Sequence, residues 1–487
     1  METLDDIIVG SGFGGAIPAL RLARTGRSIL CLEQGERLTE KDFVQDWGFK
    51  AQSRLFVTYT SKDYHVLLRY GRGIGGGSLT YAAAMLRSPS EVFTWRDRDG
   101  YRVWPASVTR QAMDPYYAMV EQEMDVVRAS WADVPRAGGI LAKMLDRMGL
   151  TADRSMYPIH DCLQCGFCMC GCPFGRKKHL GMNYIPRAEA AGAEFRARCR
   201  VHHLEPDGGG WKVAYFDPWN VQRYARAQRV ILAAGALETP GILLRSRPWI
   251  PDLHPQVGRN LNQNGDVAFL WRVPDDLAPT YPFMGRNNAG VITYAFWDEH
   301  RITIHPGAGP PALVAAMDVF SEKGEPAHPM GLSFKHYVRD HYATHLFPSL
   351  AIGLVDGEGT VTVDGNGVVQ FDLPLTDRLK AYIDRVAGVG RQIAEANGAE
   401  LLRTAGDNYE HGDAHPLATC RIGDDADRAP CTPDGELRGQ SGVFVTDGAS
   451  IPGGTGVNPA HTIAANAERI AAVLAGTNVA SRPSARA

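Results

Sequence analysis

The opening of this chain constrains its fold more than any other feature. An apolar strand, Asp6-Ile7-Ile8-Val9, runs into Gly10-Ser11-Gly12-Phe13-Gly14-Gly15. A second apolar strand, Ser28-Ile29-Leu30-Cys31-Leu32, then ends in the acid Glu33. Strand, glycine turn, helix, strand and acid in that order make the βαβ fingerprint of a dinucleotide-binding unit. Gly10 permits the sharp turn, Gly12 lets backbone approach a pyrophosphate, and Gly15 packs the helix against the strand. Phe13 and Gly14 open the helix, whose free N–H groups face the phosphates. Glu33 is placed to accept a hydrogen bond from a ribose 2′-OH, which argues against a 2′-phosphate and so against NADP. Pro18 falls inside the predicted helix, where it removes a backbone bond and predicts a kink.

At 487 residues the chain can bury a large core and is expected to hold two or more structural units. A net charge of −3 offers no basic surface to nucleic acid or to an anionic membrane. The first strand begins almost at Met1, which leaves no room for a signal peptide, and no apolar run is long enough to span a bilayer. Five of the nine cysteines fall between Cys162 and Cys172. Without an export signal, the expected location is a reducing cytoplasm. Residues 476–487 are small and polar and are expected to form a mobile tail.

Three further segments predict a return to the same ligand. Tyr70-Gly71-Arg72-Gly73-Ile74-Gly75-Gly76-Gly77-Ser78-Leu79 has too many glycines for an ordinary helix or strand and suits a backbone wrapped around something flat or anionic. Arg229-Val230-Ile231-Leu232-Ala233-Ala234-Gly235 reads as a buried parallel strand and its turn. Thr239 and Pro240 then predict a helix start, with Thr239 as N-cap and Pro240 as first helical residue. Near the C-terminus, Val443-Phe444-Val445-Thr446-Asp447-Gly448 is a strand ending in an acid and a turn. Asn458 and Pro459 predict the start of a helix reaching about Leu474, its positive end pointing back at the loop. Between these, Gly359–Phe371 reads as a hairpin and 377–397 as an amphipathic helix stopped at Gly398.

The set resembles the glucose–methanol–choline (GMC) family of FAD-dependent oxidoreductases, over the whole chain. Gly71–Leu79 is similar to the family's first signature, and Gly235-Ala236-x-x-Thr239-Pro240-x-x-Leu243-Leu244 to its second. Val257-Gly258-Arg259-Asn260-Leu261 looks like the turn that follows that helix in the family. The resemblance implies an α/β fold: a Rossmann-type FAD-binding domain with a parallel sheet, interrupted by a substrate domain with an antiparallel sheet and helices. The expected divisions are residues 1–90, 155–265 and 407–475 for FAD, and 91–154 and 266–406 for substrate. Cofactor contacts are expected from Gly10, Gly12, Phe13, Gly14, Gly15, Glu33, Arg72, Gly76, Gly77, Ser78, Ala234, Gly235, Asp447, Gly448, Asn458, Pro459 and Thr462. The first signature carries no histidine in Ser78-Leu79-Thr80-Tyr81-Ala82, so FAD is expected to be non-covalent. That form looks most like the cholesterol-oxidase branch.

The resemblance also implies the chemistry. His415, heading His415-Pro416-Leu417-Ala418-Thr419-Cys420, matches the family's catalytic histidine, and Asn458 its second catalytic group. Oxidising an alcohol moves a hydride from carbon to flavin N5 and a proton from oxygen to a base. Imidazole titrates near working pH and can take that proton, while Asn458 holds the alcohol oxygen. Capping the helix and holding substrate compete for the same amide of Asn458. His461, one turn further on, is read as structural.

Cys162-Leu163-Gln164-Cys165-Gly166-Phe167-Cys168-Met169-Cys170-Gly171-Cys172-Pro173 leaves three readings open. An iron–sulfur cluster on Cys162, Cys165, Cys168 and Cys172 suits the spacing and the closing Cys-Pro. Zinc suits paired thiolates. Reduced structural thiols are the third. The expected activity is FAD-dependent oxidation of a CH–OH group in a small-molecule alcohol, with electrons passing to oxygen or another acceptor. The polar, aromatic stretch Phe334–Tyr342, if it faces the pocket, favours a sugar, aminosugar or other polyol. The branch favours a sterol or bulky alcohol, and a cluster would favour a dehydrogenase. A flavoprotein without alcohol chemistry, serving as electron carrier or scaffold, is the alternative from another class.

Overall fold

The computed structural model describes residues 3–46, 48, 53–64, 66–288, 290–308, 331–404, 411–413 and 415–477. The expected boundary at 406/407 and residues 478–487 of the expected tail lie outside this set. Seven described strands form the larger sheet. Glu194–Arg196, Ile29–Leu32, Thr3–Val9, Gln222–Leu232 and Val443–Val445 run parallel, in that spatial order. Gly210–Phe216 and Arg200–Asp207 extend the sheet antiparallel from the first half of Gln222–Leu232.

Side-chain alternation divides the parallel strands between two cores. Ile7, Val9, Leu30, Leu32, Val230, Leu232, Val443 and Val445 enter one. Ile8, Ile29, Cys31, Ile231 and Phe444 enter the other. The second core is closed by Ala16, Ile17 and Leu20 of helix Phe13–Ala23 and by Ala464 and Ala467 of helix Ala460–Leu474. Pro18 does sit inside the first of these helices. The carbonyl four residues earlier, on Gly14, loses its helical donor and instead accepts the Thr446 hydroxyl at 2.6 Å. A residue from the last strand thus repairs the bond that Pro18 removes. Thr446→Val, which strands that buried carbonyl, is expected to cost about 1–3 kcal/mol, read as a lower denaturant midpoint with an unchanged slope.

The second large sheet is antiparallel, ordered Ile302–Pro306, Leu346–Gly353, Val267–Arg272 and Glu400–Thr404. Val267, Phe269, Trp271, Ile302, Ile304, Phe347 and Ala351 share one face, packed with helices Arg136–Arg147 and Asp377–Ala396. The opposite face follows by alternation from Asp266, Ala268 and Leu270 on one strand and Thr303 and His305 on another. It is this polar-bearing face that turns to the site. Helix Asp377–Ala396 begins where the Thr376 hydroxyl accepts the Leu379 N–H at 3.2 Å, and it ends at Asn397 as the sequence predicts. The predicted hairpin forms from Gly359–Val363 and Val369–Asp372. It packs through Val361, Val369 and Phe371 with Leu237 and Leu261, beside helix Glu238–Arg245. No helix among the described residues is long and apolar enough to cross a membrane.

Candidate active site

Four distant segments meet around a cavity of about 440 Å³. A Cβ on Gly76 would lie 2.7 Å from the Gly12 Cα, and one on Gly14 would lie 2.7 Å from the Asp447 Cα. Glycine is therefore required where the first loop meets the second and where it meets the fourth. The third segment joins through Asp447, whose Oδ2 accepts the Gly235 N–H at 2.7 Å and the Thr239 hydroxyl at 2.6 Å. Burial pushes the Asp447 carboxyl up, and these donors oppose that shift. Gly14→Ala, which drives a methyl into Asp447, is expected to lower cofactor retention, measured as the ratio of flavin to protein absorbance in the purified protein.

Fifteen of the expected site positions reach the wall: Gly10, Gly12, Phe13, Gly14, Glu33, Arg72, Gly76, Gly77, Ala234, Gly235, His415, Asp447, Gly448, Asn458 and Pro459. Glu33 also holds the loops together. Its carboxylate accepts the Ser11 N–H at 3.0 Å, the Ser11 hydroxyl at 2.8 Å and the Gly35 N–H at 2.8 Å. Gly15, Ser78 and Thr462 are not on the wall. A Cβ on Gly15 would meet the Gly10 carbonyl, the helix–strand contact its position predicts. Ser78 donates to the Gly75 carbonyl at 2.7 Å, and Thr462 is tied to Ser88 and Tyr117, each at 2.8 Å.

His415 and Asn458 stand together on that wall, with the Asn458 Nδ2 3.5 Å from the His415 Nε2. Helix Ala460–Leu474 starts one residue later than predicted, and Asn458 makes no capping bond. Its amide is thus free of the competing role, and its Oδ1 is buried without a partner among the described residues. The other imidazole nitrogen, Nδ1, lies 2.6 Å from the Asp266 Oδ2. Asp266 is 7 % exposed, so this contact is largely shielded from solvent. The backbone fixes its members. Asn262 and Leu417 exchange N–H···O bonds at 3.1 and 2.8 Å, registering the run before Asp266 against the run after His415. The Asn264 amide donates to the Val457 carbonyl at 2.9 Å, and its oxygen accepts the Thr455 N–H at 2.7 Å.

Several expectations need correction. Thr239 does not cap its helix, which begins at Glu238; its hydroxyl is spent on Asp447 instead. Among the described residues no three or more His, Cys, Asp or Glu side chains gather to hold an ion, and all nine thiols are free. Of the three readings open for Cys162, Cys165, Cys168 and Cys172, reduced structural thiols is the one these observations support, and neither an iron–sulfur cluster nor zinc finds support. Buried Lys177 stitches the loop instead, donating to the Leu79, Tyr81 and Cys168 carbonyls at 2.9, 3.0 and 2.8 Å. Of the stretch Phe334–Tyr342, Lys335, His336, Arg339 and Asp340 are exposed and Tyr342 packs with Leu270 and Leu346, all away from the cavity wall, while the side chains of Tyr337 and His341 lie outside the described set. His461 is fully buried against Tyr117, with burial pulling its imidazole down to about 4.

Asp266 and His305 escaped the sequence reading. Neither sits in a motif; alternation placed both on one face of a sheet, and only the folded chain shows that this face meets His415.

Known proteins resemble this chain over most of its length. The family model described as GMC oxidoreductase, N-terminal part, matches residues 4–264, and its C-terminal counterpart matches 359–467. A cholesterol oxidase of Mycobacterium tuberculosis is 25 % identical across 96 % of this chain and 90 % of its own. The 6'''-hydroxyparomomycin C oxidase of Streptomyces lividus is 25 % identical across 98 % of this chain and 92 % of its own. Among solved structures, pyridoxine 4-oxidase from Mesorbium loti has the same fold, with a TM-score of 0.74 at 18 % identity, covering 98 % of this chain and 100 % of that one.

Proposed function

The chain belongs to the GMC oxidoreductase family, and from that premise we propose that it oxidises a CH–OH group with His415 as the base and Asn458 as the group that holds the alcohol oxygen. Family members are FAD-dependent enzymes that act on alcohols. The residues present fit FAD: glycine loops approach closely at Gly12 and Gly76, and the starts of two helices, at Phe13 and Ala460, open on one cavity. Bound there, FAD supplies the hydride acceptor. With no histidine in the first signature, we infer that it is held non-covalently. On this reading residues 1–90, 155–265 and 407–475 hold the cofactor, and 91–154 and 266–406 hold the alcohol.

The observation that carries the proposal is the Asp266–His415–Asn458 arrangement on the cavity wall. The Asp266 carboxylate accepts a hydrogen bond from the Nδ1–H of His415, which keeps that proton on Nδ1 and leaves a lone pair on Nε2. An alcohol oxygen between the two side chains donates its proton to Nε2 and accepts from the Asn458 amide. That contact fixes the oxygen and so aims the C–H. As the hydroxyl loses its proton, the growing imidazolium charge is stabilised by Asp266.

For the alcohol itself we propose a polyhydroxylated compound. The support is His305 on the cavity wall, whose Nε2 has no partner among the described residues, not the stretch Phe334–Tyr342. A bulky apolar alcohol is the second reading, favoured by Ala83, Ala84, Met169 and Leu350 on the wall. Anaerobic mixing of the holoenzyme with sugars, aminoglycosides, sterols and long-chain alcohols tests both. Bleaching by one class assigns the substrate, and a flavin that no alcohol bleaches refutes the proposed activity. Oxygen uptake on re-aeration then reports whether oxygen accepts the electrons.

A further inference from the structure

The antiparallel sheet brings one more imidazole to the cavity. His305 stands opposite Leu350 in the strand register, on the face away from Ile302 and Ile304, and it lines the same wall as His415 and Asn458. Its Nε2 is shielded from solvent and, among the described residues, has no hydrogen-bond partner. The ring also bonds the Pro306 backbone, where proline offers only a carbonyl, an acceptor that must meet an N–H. With that proton on Nδ1, Nε2 carries a lone pair. Burial, reinforced by neighbouring His415, holds the ring neutral at about 4. A buried acceptor without a donor is uncommon in native proteins and needs an explanation.

Resting on the reading of His415 as the base, we propose that His305 binds substrate by accepting a hydrogen bond from a second donor on the alcohol, a hydroxyl or amine close to the reacting carbon. The reacting hydroxyl cannot play this part. It has one proton, and that proton goes to His415. Ala83, Ala84, Met169 and Leu350 offer the carbon skeleton an apolar surface but no side-chain donor. The site therefore recognises a diol, sugar or amino alcohol over the matching mono-alcohol.

The test uses holoenzyme and matched probes: cyclohexanol with cyclohexane-1,2-diol, and 1-octanol with octane-1,2-diol. Anaerobic flavin reduction gives kcat/KM for each. Wild type is expected to prefer the diol of a pair by on the order of tenfold. His305→Phe should bring that ratio to near one, and His305→Gln, which keeps an acceptor, should restore part of it. A ratio near one in wild type, or one that survives in the Phe variant, overturns the proposal. Should the Phe variant fail to hold flavin, the wild-type and Gln ratios decide. If wild type holds flavin and no alcohol of any class bleaches it, the base assignment itself has failed, and this inference with it.

Discussion

Replacing His415 with alanine leaves a protein that still holds flavin but whose substrate-driven bleaching is slower by about 10²–10⁴-fold, the usual contribution of a positioned general base. The expectation follows from the division of labour on the wall. Cofactor retention rests on close backbone approach at Gly12, Gly14 and Gly76 and on the Asp447 hub, none of which passes through the imidazole. On the proposed mechanism proton removal rests on Nε2, which lies beside the Asn458 amide. Flavin content, measured by absorbance, should therefore match wild type while anaerobic stopped-flow reduction collapses. Added imidazole should recover part of the rate, since the lost side chain leaves room for it. An electron-carrier or scaffold protein predicts the opposite. Its flavin would exchange electrons with external donors at the same rate in both proteins, and no alcohol would bleach either one.

The parts of this molecule that could be read in the sequence are those whose signals are local. Glycines at fixed spacing, the apolar strands Ile7-Ile8-Val9 and Val443-Phe444-Val445, and the amphipathic pattern of 377–397 are each written in a short stretch of chain, and the structure keeps them. The errors came where a side chain had two possible partners and the nearer one lost. Thr239 and Asn458 both look like caps, yet one hydroxyl reaches Asp447 and one amide reaches His415, each across a great distance in sequence. Spacing left the cysteine run open between a ligand set and structural thiols, because it says nothing of where sulfurs point once Lys177 has pinned the loop to the glycine-rich segment. Asp266 and His305 carried no local signal at all. A lone acid before a strand and a lone histidine within one become meaningful only when they are turned toward an imidazole from a distant segment.

Asp266→Asn is expected to be nearly as damaging as loss of His415 itself, and for a different reason. In the wild type a carboxylate can only accept, so the 2.6 Å contact fixes the proton on Nδ1 and leaves Nε2 bare. An asparagine amide can instead donate to Nδ1, which moves the proton to Nε2 and abolishes the lone pair aimed at the alcohol. Flavin reduction should fall by about 10²–10⁴-fold with the fold and flavin content unchanged, since an amide fills the same volume. The residual activity carries a second signature. A fixed carboxylate beside an imidazole favours its charged form, so removing that charge should move the acid limb of the pH–rate profile to lower pH. A residue that merely propped the loop would leave that limb in place and change only stability. Asp266→Glu, which keeps the charge but lengthens the side chain, separates the two effects: the limb should stay near its wild-type position while the rate drops from misplaced geometry. If the asparagine variant reduces its flavin at the wild-type rate and with the wild-type profile, Asp266 is not a positioning residue for His415.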